Sequence, residues 1–324
     1  MKSVFFSLLL LITASCNTSN DNGVKLKAWM NPNGKVKVLS TIAMIDDLVK
    51  QIGKEHIDSA VLIKGDLNPH SYQLVKGDDE KFAYADLIFA NGLGLEHGPS
   101  LHAYLSKSKK ATLLGNLIME ENKQLLLYHK GQLDPHIWMD AAIWMKTIPI
   151  IVKALSEKDP NHAQEYEKNG NQLIAILEDV DKNIRAILHA IPPNKRFLIT
   201  SHDAFNYFTR SYLAESNETN EEWVQRFMAP EGLAPDSQIS TANIQAIIDH
   251  LKKHEIHVLF PESNVNKDSI RKIVDAAQKQ GLRVTISDAY LYADAMGKLG
   301  SEGDTYIKMI THNAKTIASH LNMQ

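Results

Sequence analysis

Short apolar runs alternate with helix-period segments along most of the chain. Residues 36–39, 60–63, 87–90 and 111–114 read as buried strands, with helical patterns such as 42–52 between them. This alternation predicts a parallel sheet with helices on its faces. Asp159-Pro160 then signals a helix start. Beyond it, apolar positions recur at Tyr166, Leu173, Leu177, Val180, Ile184, Leu188 and Ile191, one continuous helical stripe that stops at Pro192-Pro193. A helix of about 30 residues spans ~45 Å, enough to run the height of a two-lobed protein. The alternation then resumes, with strands at 197–200, 257–260 and 284–287, helices at 244–253 and 269–279, and a last helix over 305–320. The polar stretch 215–235, with Pro and Gly near its end, reads as a long loop. The expected fold is therefore α/β: two parallel-sheet lobes joined by one long rigid helix.

The first sixteen residues follow a different logic. Lys2 precedes an apolar run at 4–12, broken only by Ser7, and the small residues Thr13, Ala14 and Ser15 lead to Cys16. That is a charged, an apolar and a cleavage region in the order of a secretory signal. The run is shorter than the ~20 apolar residues needed to cross a bilayer. A cysteine directly after the small residues suggests cleavage before Cys16 and acylation of its thiol, although Thr13 stands three residues before it where Leu is usual, with Ile12 one step earlier. The organisation expected is a lipoprotein signal at 1–16, a flexible tether rich in Asn, Ser and Gly at 17–34, an N-terminal lobe at 35–158, the linking helix at 159–192 and a C-terminal lobe at 193–324. The mature protein would be extracytoplasmic, in the periplasm, and held to the membrane through a lipid on Cys16.

Composition narrows the chemistry. The net charge of −3, with no strongly basic run, argues against a nucleic-acid partner, because phosphate binding needs a positive face. Cys16 is the only cysteine of the 324-residue chain, so an intramolecular disulfide and cysteine-based zinc sites are excluded. Histidine, by contrast, occurs 14 times.

Three of these histidines follow predicted strands. His70 lies in Asn68-Pro69-His70-Ser71-Tyr72, His136 in Asp134-Pro135-His136-Ile137-Trp138-Met139-Asp140, and His202 directly after the strand at 197–200. Ligands of open α/β sheets bind beyond the carboxyl ends of strands, so the three can converge in one crevice. Two of them come right after proline, which stiffens the backbone that carries the imidazole. Imidazole suits zinc, iron and related ions, and a carboxylate added to three imidazoles completes a four-coordinate set. Asp288 and Asp294 both follow the strand at 284–287, and spacing does not choose between them. Asp140 could orient a ligand or cap the helix after it. Glu262, also at a strand end, is a candidate for lining the crevice. His250 and His254 stand i,i+4 on a predicted helix beside Lys252 and Lys253, and read as a solvated face. His97 and His102 flank Pro99 in a polar turn and read as surface, and His129 lies in a loop without companion histidines.

The chain resembles the metal-binding solute-binding lipoproteins that serve ABC importers of zinc, manganese or iron. The resemblance runs from the signal to the last helix. It is carried by Asp134-Pro135-His136-Ile137-Trp138-Met139-Asp140, Asn91-Gly92-Leu93-Gly94-Leu95-Glu96, Ser201-His202-Asp203-Ala204-Phe205-Asn206-Tyr207-Phe208 and Gly303-Asp304-Thr305-Tyr306. The wording at Lys76-Gly77-Asp78-Asp79-Glu80 and Phe260-Pro261-Glu262-Ser263-Asn264-Val265-Asn266 is most similar to the chlamydial-type members. The resemblance implies metal ligands at His70, His136, His202 and Asp294, in a cleft between the lobes. It also implies a cargo of Mn2+, Fe2+ or Zn2+, an ABC permease with its ATPase as partners, and no catalytic activity. The chain is expected to act as a monomer. Two departures stand out: Asn68 replaces the Asp that often precedes Pro-His, and the loop at 116–133 lacks the histidine-rich tract of many zinc-specialised members. That absence tilts the expected cargo toward manganese or iron. The alternative is an exported zinc-dependent hydrolase, which would need an open coordination position and a general base. The His-Glu-x-x-His signature of such enzymes is absent.

Overall fold

A computed structural model describes residues 28–129, 131–235 and 239–322. The expected signal at 1–16, Cys16 included, and the tether up to residue 27 lie outside the described residues. Within the rest of the predicted tether, Trp29 is packed rather than free: its indole is buried and its Nε1–H donates to the Asp58 carbonyl (3.0 Å). No helix among the described residues is long and apolar enough to cross a membrane.

The N-terminal half contains strands β1 (Val36–Ser40), β2 (Ile57–Val61), β3 (Leu87–Ala90) and β4 (Ala111–Leu113) and helices α1 (Ala43–Gly53), α2 (Asp78–Tyr84), α3 (Pro99–Leu105) and α4 (Leu114–Asn122). The sheet order is β2-β1-β3-β4, with every pairing parallel. Every residue of central β1 is buried, as expected for a strand covered on both faces. The segment 116–133, expected as a loop, is instead the body of α4 followed by an antiparallel hairpin, β5 (Tyr128–His129) with β6 (Gln132–Leu133). The exposed pair Glu120-Glu121 concealed the helix by facing solvent near its end.

Helix α5 (Thr147–Lys158) leads through a 3₁₀ turn at Pro160–His162 to the long helix α6 (Ala163–His189), about 40 Å at 1.5 Å per residue. The predicted stripe is its packed face: Tyr166, Leu173, Leu177, Ile184 and Leu188 are buried. Gly170 lets α5 approach closely, since a Cβ there would lie 2.6 Å from Val152 Cγ2.

The C-terminal half has β7 (Leu198–Ile199), β8 (Phe227–Met228), α7 (Thr241–His254), β9 (Val258–Leu259), α8 (Asp268–Lys279), β10 (Thr285–Ile286) and α9 (Tyr306–Asn322). β7 pairs with β8 and β9 with β10, both parallel. The Phe260 N–H joins the two ladders by donating to the Ile199 carbonyl (2.8 Å). β8 corrects the expectation of one long loop over 215–235. Thr219 and Glu222 form a capping box that starts a helical turn, Trp223 is buried, and Phe227 enters the sheet. The main core runs through both halves, from Val38 and Phe89 past the long helix to Phe208, Leu291 and Tyr306. A smaller one lies between α7, α8 and their strands.

Candidate metal centre

His70 is carried on the loop beyond β2. Its backbone N–H donates to Asn68 Oδ1 (2.8 Å), a turn closed across Pro69. His136 repeats the device, its N–H donating to Asp134 Oδ1 (2.9 Å) across Pro135. The Asp134 carboxylate does more than the Asn68 amide. Its Oδ1 also lies 2.7 Å from His136 Nδ1 and fixes the ring, leaving Nε2 to face inward. His202 follows β7. Glu262, fully buried, accepts the backbone N–H groups of Ser201 and His202 (both 2.9 Å) and bonds His202 Nδ1. Asp294 lies on the loop after β10.

These four side chains meet. Their ligating atoms all lie within 4.8 Å of one another, and all four residues are buried. Asp294 Oδ2 is 3.5 Å from His70 Nε2 and 3.3 Å from His202 Nε2, and Oδ1 is 3.4 Å from His136 Nε2. None of these five atoms has a hydrogen-bond partner. An unpaired buried polar atom costs about 1–3 kcal/mol, so five converging ones mark a place prepared for something else. Glu262 and Asp134 lie outside this set, because their carboxylates hold the Nδ1 sides of the rings. Asp140 caps the turn Ala141–Trp144 through the N–H groups of Ala142 and Ile143. Asp288 is 94% exposed and pairs with His320 (3.1 Å).

Charge follows this arrangement. Burial alone pushes the His136 imidazole down, but the Asp134 and Asp294 carboxylates outweigh it and hold the group at about 9. Burial acts on His202 in the same way, and the Glu262 and Asp294 charges raise it well above the ordinary value. His70 has no carboxylate of its own; burial dominates and lowers it. Asp294 is buried too, yet the surrounding imidazoles hold it well below the usual carboxylate range.

The remaining motifs brace this centre. Within Asn91–Glu96 (residues 91–96), the Asn91 amide donates to the Pro135 carbonyl (2.9 Å), supporting the His136 loop. Asn206 donates to Asp134 Oδ2 and the Tyr207 hydroxyl to the Asp134 carbonyl (both 3.0 Å), so the segment after His202 holds the loop of His136. Trp138 Nε1–H reaches the Ala293 carbonyl (2.9 Å), and the Tyr306 hydroxyl donates to the Trp138 carbonyl (2.8 Å). Asn313 clamps Tyr292, accepting its N–H (2.9 Å) and donating to its carbonyl (2.7 Å). Gly303 packs on the Tyr292 ring, where a Cβ would come within 2.4 Å. Asp78 holds the loop of His70, accepting the Tyr72 hydroxyl (2.8 Å) and the Val75 N–H (2.9 Å).

Elsewhere the histidines serve packing and pairing. His254 stacks on Phe197, with ring centroids 4.1 Å apart, and His250 is buried beside it, so this face is not the solvated one expected. His129 has a partner after all: its Nε2 lies 3.1 Å from Asp203 Oδ2, across from the hairpin to the His202 segment. His97 is exposed, with its ring against that of His70.

Comparison with known proteins agrees with this architecture. The family model "Zinc-uptake complex component A periplasmic" matches residues 38–320. The metal-binding protein YtgA of Chlamydia pneumoniae is 37% identical over 261 residues, covering 80% of this chain and 77% of its own. The manganese-binding lipoprotein MntA of Bacillus subtilis is 29% identical over 99% of this chain and 98% of its own. The crystal structure of Fe(III)-bound YtgA from Chlamydia trachomatis superposes with a TM-score of 0.84 at 36% identity, covering 89% of this chain and 98% of that one. The periplasmic zinc-binding protein TroA from Treponema pallidum gives 0.80 at 29% identity, covering 89% and 99%. The chain belongs to the family of periplasmic zinc-uptake complex component A proteins.

Proposed function

We propose that this protein captures a divalent transition metal outside the cytoplasmic membrane and delivers it to an ABC permease and its ATPase. His70, His136, His202 and Asp294 are the ligands in this reading. The observation that carries it is the convergence of five buried, unpartnered donor atoms from four separate loops. Three neutral imidazoles and one carboxylate form a four-coordinate nitrogen and oxygen set that suits zinc, manganese or iron. Relatives are named for each: TroA for zinc, MntA for manganese and YtgA for its Fe(III)-bound form. Likeness to YtgA and the absence of a histidine-rich tract favour manganese or iron as the cargo.

A hydrolase needs an open position on the metal and a nearby free base. Both neighbouring carboxylates, Asp134 and Glu262, are engaged with ligand imidazoles, which favours a closed binding site over a catalytic one. In this reading the lobes span 35–158 and 193–324, the helix at 159–192 links them, and the protein works as a monomer. A lipid on Cys16 after removal of the signal at 1–16, with a tether following, holds it at the membrane. One acyl chain anchors only marginally, so more than one is required. Cys16→Ser should move the protein from the membrane to the soluble fraction.

The primary test is thermal. A ligand that binds only the folded state stabilises it by ~2.7 kcal/mol at a hundredfold excess over its dissociation constant. Zinc, manganese or iron(II) added to chelator-treated protein should raise the melting temperature. An unchanged melt under saturating metal would overturn the proposal.

A further inference from the structure

The four buried ligands leave open how a hydrated cation reaches them. Among the described residues, His97 is the exposed ring that touches the cluster: its centroid lies 5.6 Å from that of His70, tilted by 54°. The other rings against the three histidines are each other's and that of buried Trp138.

His97 is held in place. On one side, the Glu96 carboxylate is buried and accepts Asn91 N–H (2.8 Å), Gly92 N–H (3.0 Å) and the Thr41 hydroxyl (2.6 Å). On the other, Gly98 presses so closely on the Tyr72 carbonyl that a Cβ would lie 1.9 Å from its oxygen. The ring itself is oriented by Nδ1, 3.0 Å from the Gly94 carbonyl. A carbonyl only accepts, so Nδ1 carries the proton in the neutral ring and the Nε2 lone pair remains available to a metal.

We propose that His97 is a capture ligand at the mouth of the cleft. Its Nε2 replaces one water of the incoming cation. His70 Nε2 then displaces His97 as the ion moves inward, and His97 returns to solvent. This rests on the metal-receptor function above and adds a residue outside the resident ligand set. A group used only in transit lowers the barrier equally in both directions, so its loss slows association and dissociation together and leaves the dissociation constant unchanged.

The test is stopped-flow binding of manganese and zinc to metal-free full-length protein, read by the fluorescence of Trp138, whose ring lies 5.3 Å from that of His136. For His97→Ala, both rate constants should fall by at least about tenfold, within the range over which association rates vary among variants of one interface. The equilibrium constant, from chelator competition, should stay within about twofold of the parent, and the metal-free melt should be unchanged. His97→Asp, which keeps a ligating group, should recover most of the rate. Unchanged rates in His97→Ala, or a weaker equilibrium constant arising from faster release alone, would overturn the proposal. A parent protein that takes up neither metal would instead sink the receptor function on which it rests.

Discussion

The Glu262 carboxylate bonds His202 twice, through its backbone N–H and the Nδ1 side of its ring, and also takes the backbone N–H of Ser201, so that His202 Nε2 faces Asp294. Glu262 lies outside the four converging side chains His70, His136, His202 and Asp294; it sets the ring direction of one of them, His202.

Glu262→Gln should therefore weaken metal binding by about 10–100-fold, the usual cost of losing a group that orients a ligating histidine. The amide can still accept the backbone N–H groups, so the fold should survive. Competition titration against a chromogenic chelator, beside a far-ultraviolet spectrum, checks both. Parent-like affinity in this variant would mean that His202 is oriented by packing alone.

Asp294 and Asp288 offer a sharper comparison, because sequence spacing makes them equivalent. Asp294 is buried among three imidazoles, whereas the Asp288 side chain is 94% exposed. Asp294→Ala should lose metal binding by more than about a hundredfold, with Asp288→Ala indistinguishable from the parent. Isothermal titration of both variants with zinc and manganese decides it. The opposite ranking would remove Asp294 from the ligand set.

Much of this was legible before the structure. The strand at residues 87–90 shows as a continuous apolar run, and the long helix as an apolar stripe that repeats its pattern many times. β8 was not legible: two residues, Phe227 and Met228, carry no period, and only their pairing with Leu198 and Ile199 makes them a strand. Three histidines stood out by following strands. The fourth group needed family resemblance, since Asp294 reaches the site by a loop whose path depends on Asn313 and Trp138, far away in sequence. The role of Asp134 was missed although the signal was present. Asp-Pro-His and Asn-Pro-His share a turn in which the first side chain accepts the histidine N–H, and Asp134 has a charge to spare for the ring.

That asymmetry sets the pH dependence. Metal requires neutral imidazoles, yet neighbouring carboxylates hold His136 at about 9 and raise His202 well above its ordinary value. At about pH 7 a cation must displace their protons. Lowering the pH adds competitors and weakens binding, and raising it toward about 9 strengthens binding, by up to about tenfold per unit for each proton released. The metal-free protein has the opposite trend. A histidine raised on folding stabilises fully below its unfolded value of ~6.5 and loses that contribution as pH rises through the folded value. The metal-free melting temperature should therefore fall between about pH 7 and 9 while the increment caused by metal grows. Proton release on metal addition in weak buffer measures the same coupling. No release, with a flat affinity from about pH 6 to 9, would show that these imidazoles are not displaced.

In the proposed site, release of an ion would depend on how firmly the Asp294 loop is held. Asn313, buried on α9, satisfies both the N–H and the carbonyl of Tyr292, two residues before Asp294. Trp138 holds the carbonyl of Ala293 from the segment that carries His136. The loop that carries the Asp294 carboxylate is thus held from two directions. Asn313→Ala leaves both Tyr292 groups without their partner and should cost about 1–3 kcal/mol of stability. It should also let Asp294 leave more readily, so metal dissociation into excess chelator should quicken by about tenfold or more, while association, governed by access to the cleft, stays near the parent. Dissociation rates unchanged in Asn313→Ala, despite a lowered melting temperature, would mean that the clamp stabilises the fold without governing the hold of Asp294 on the ion.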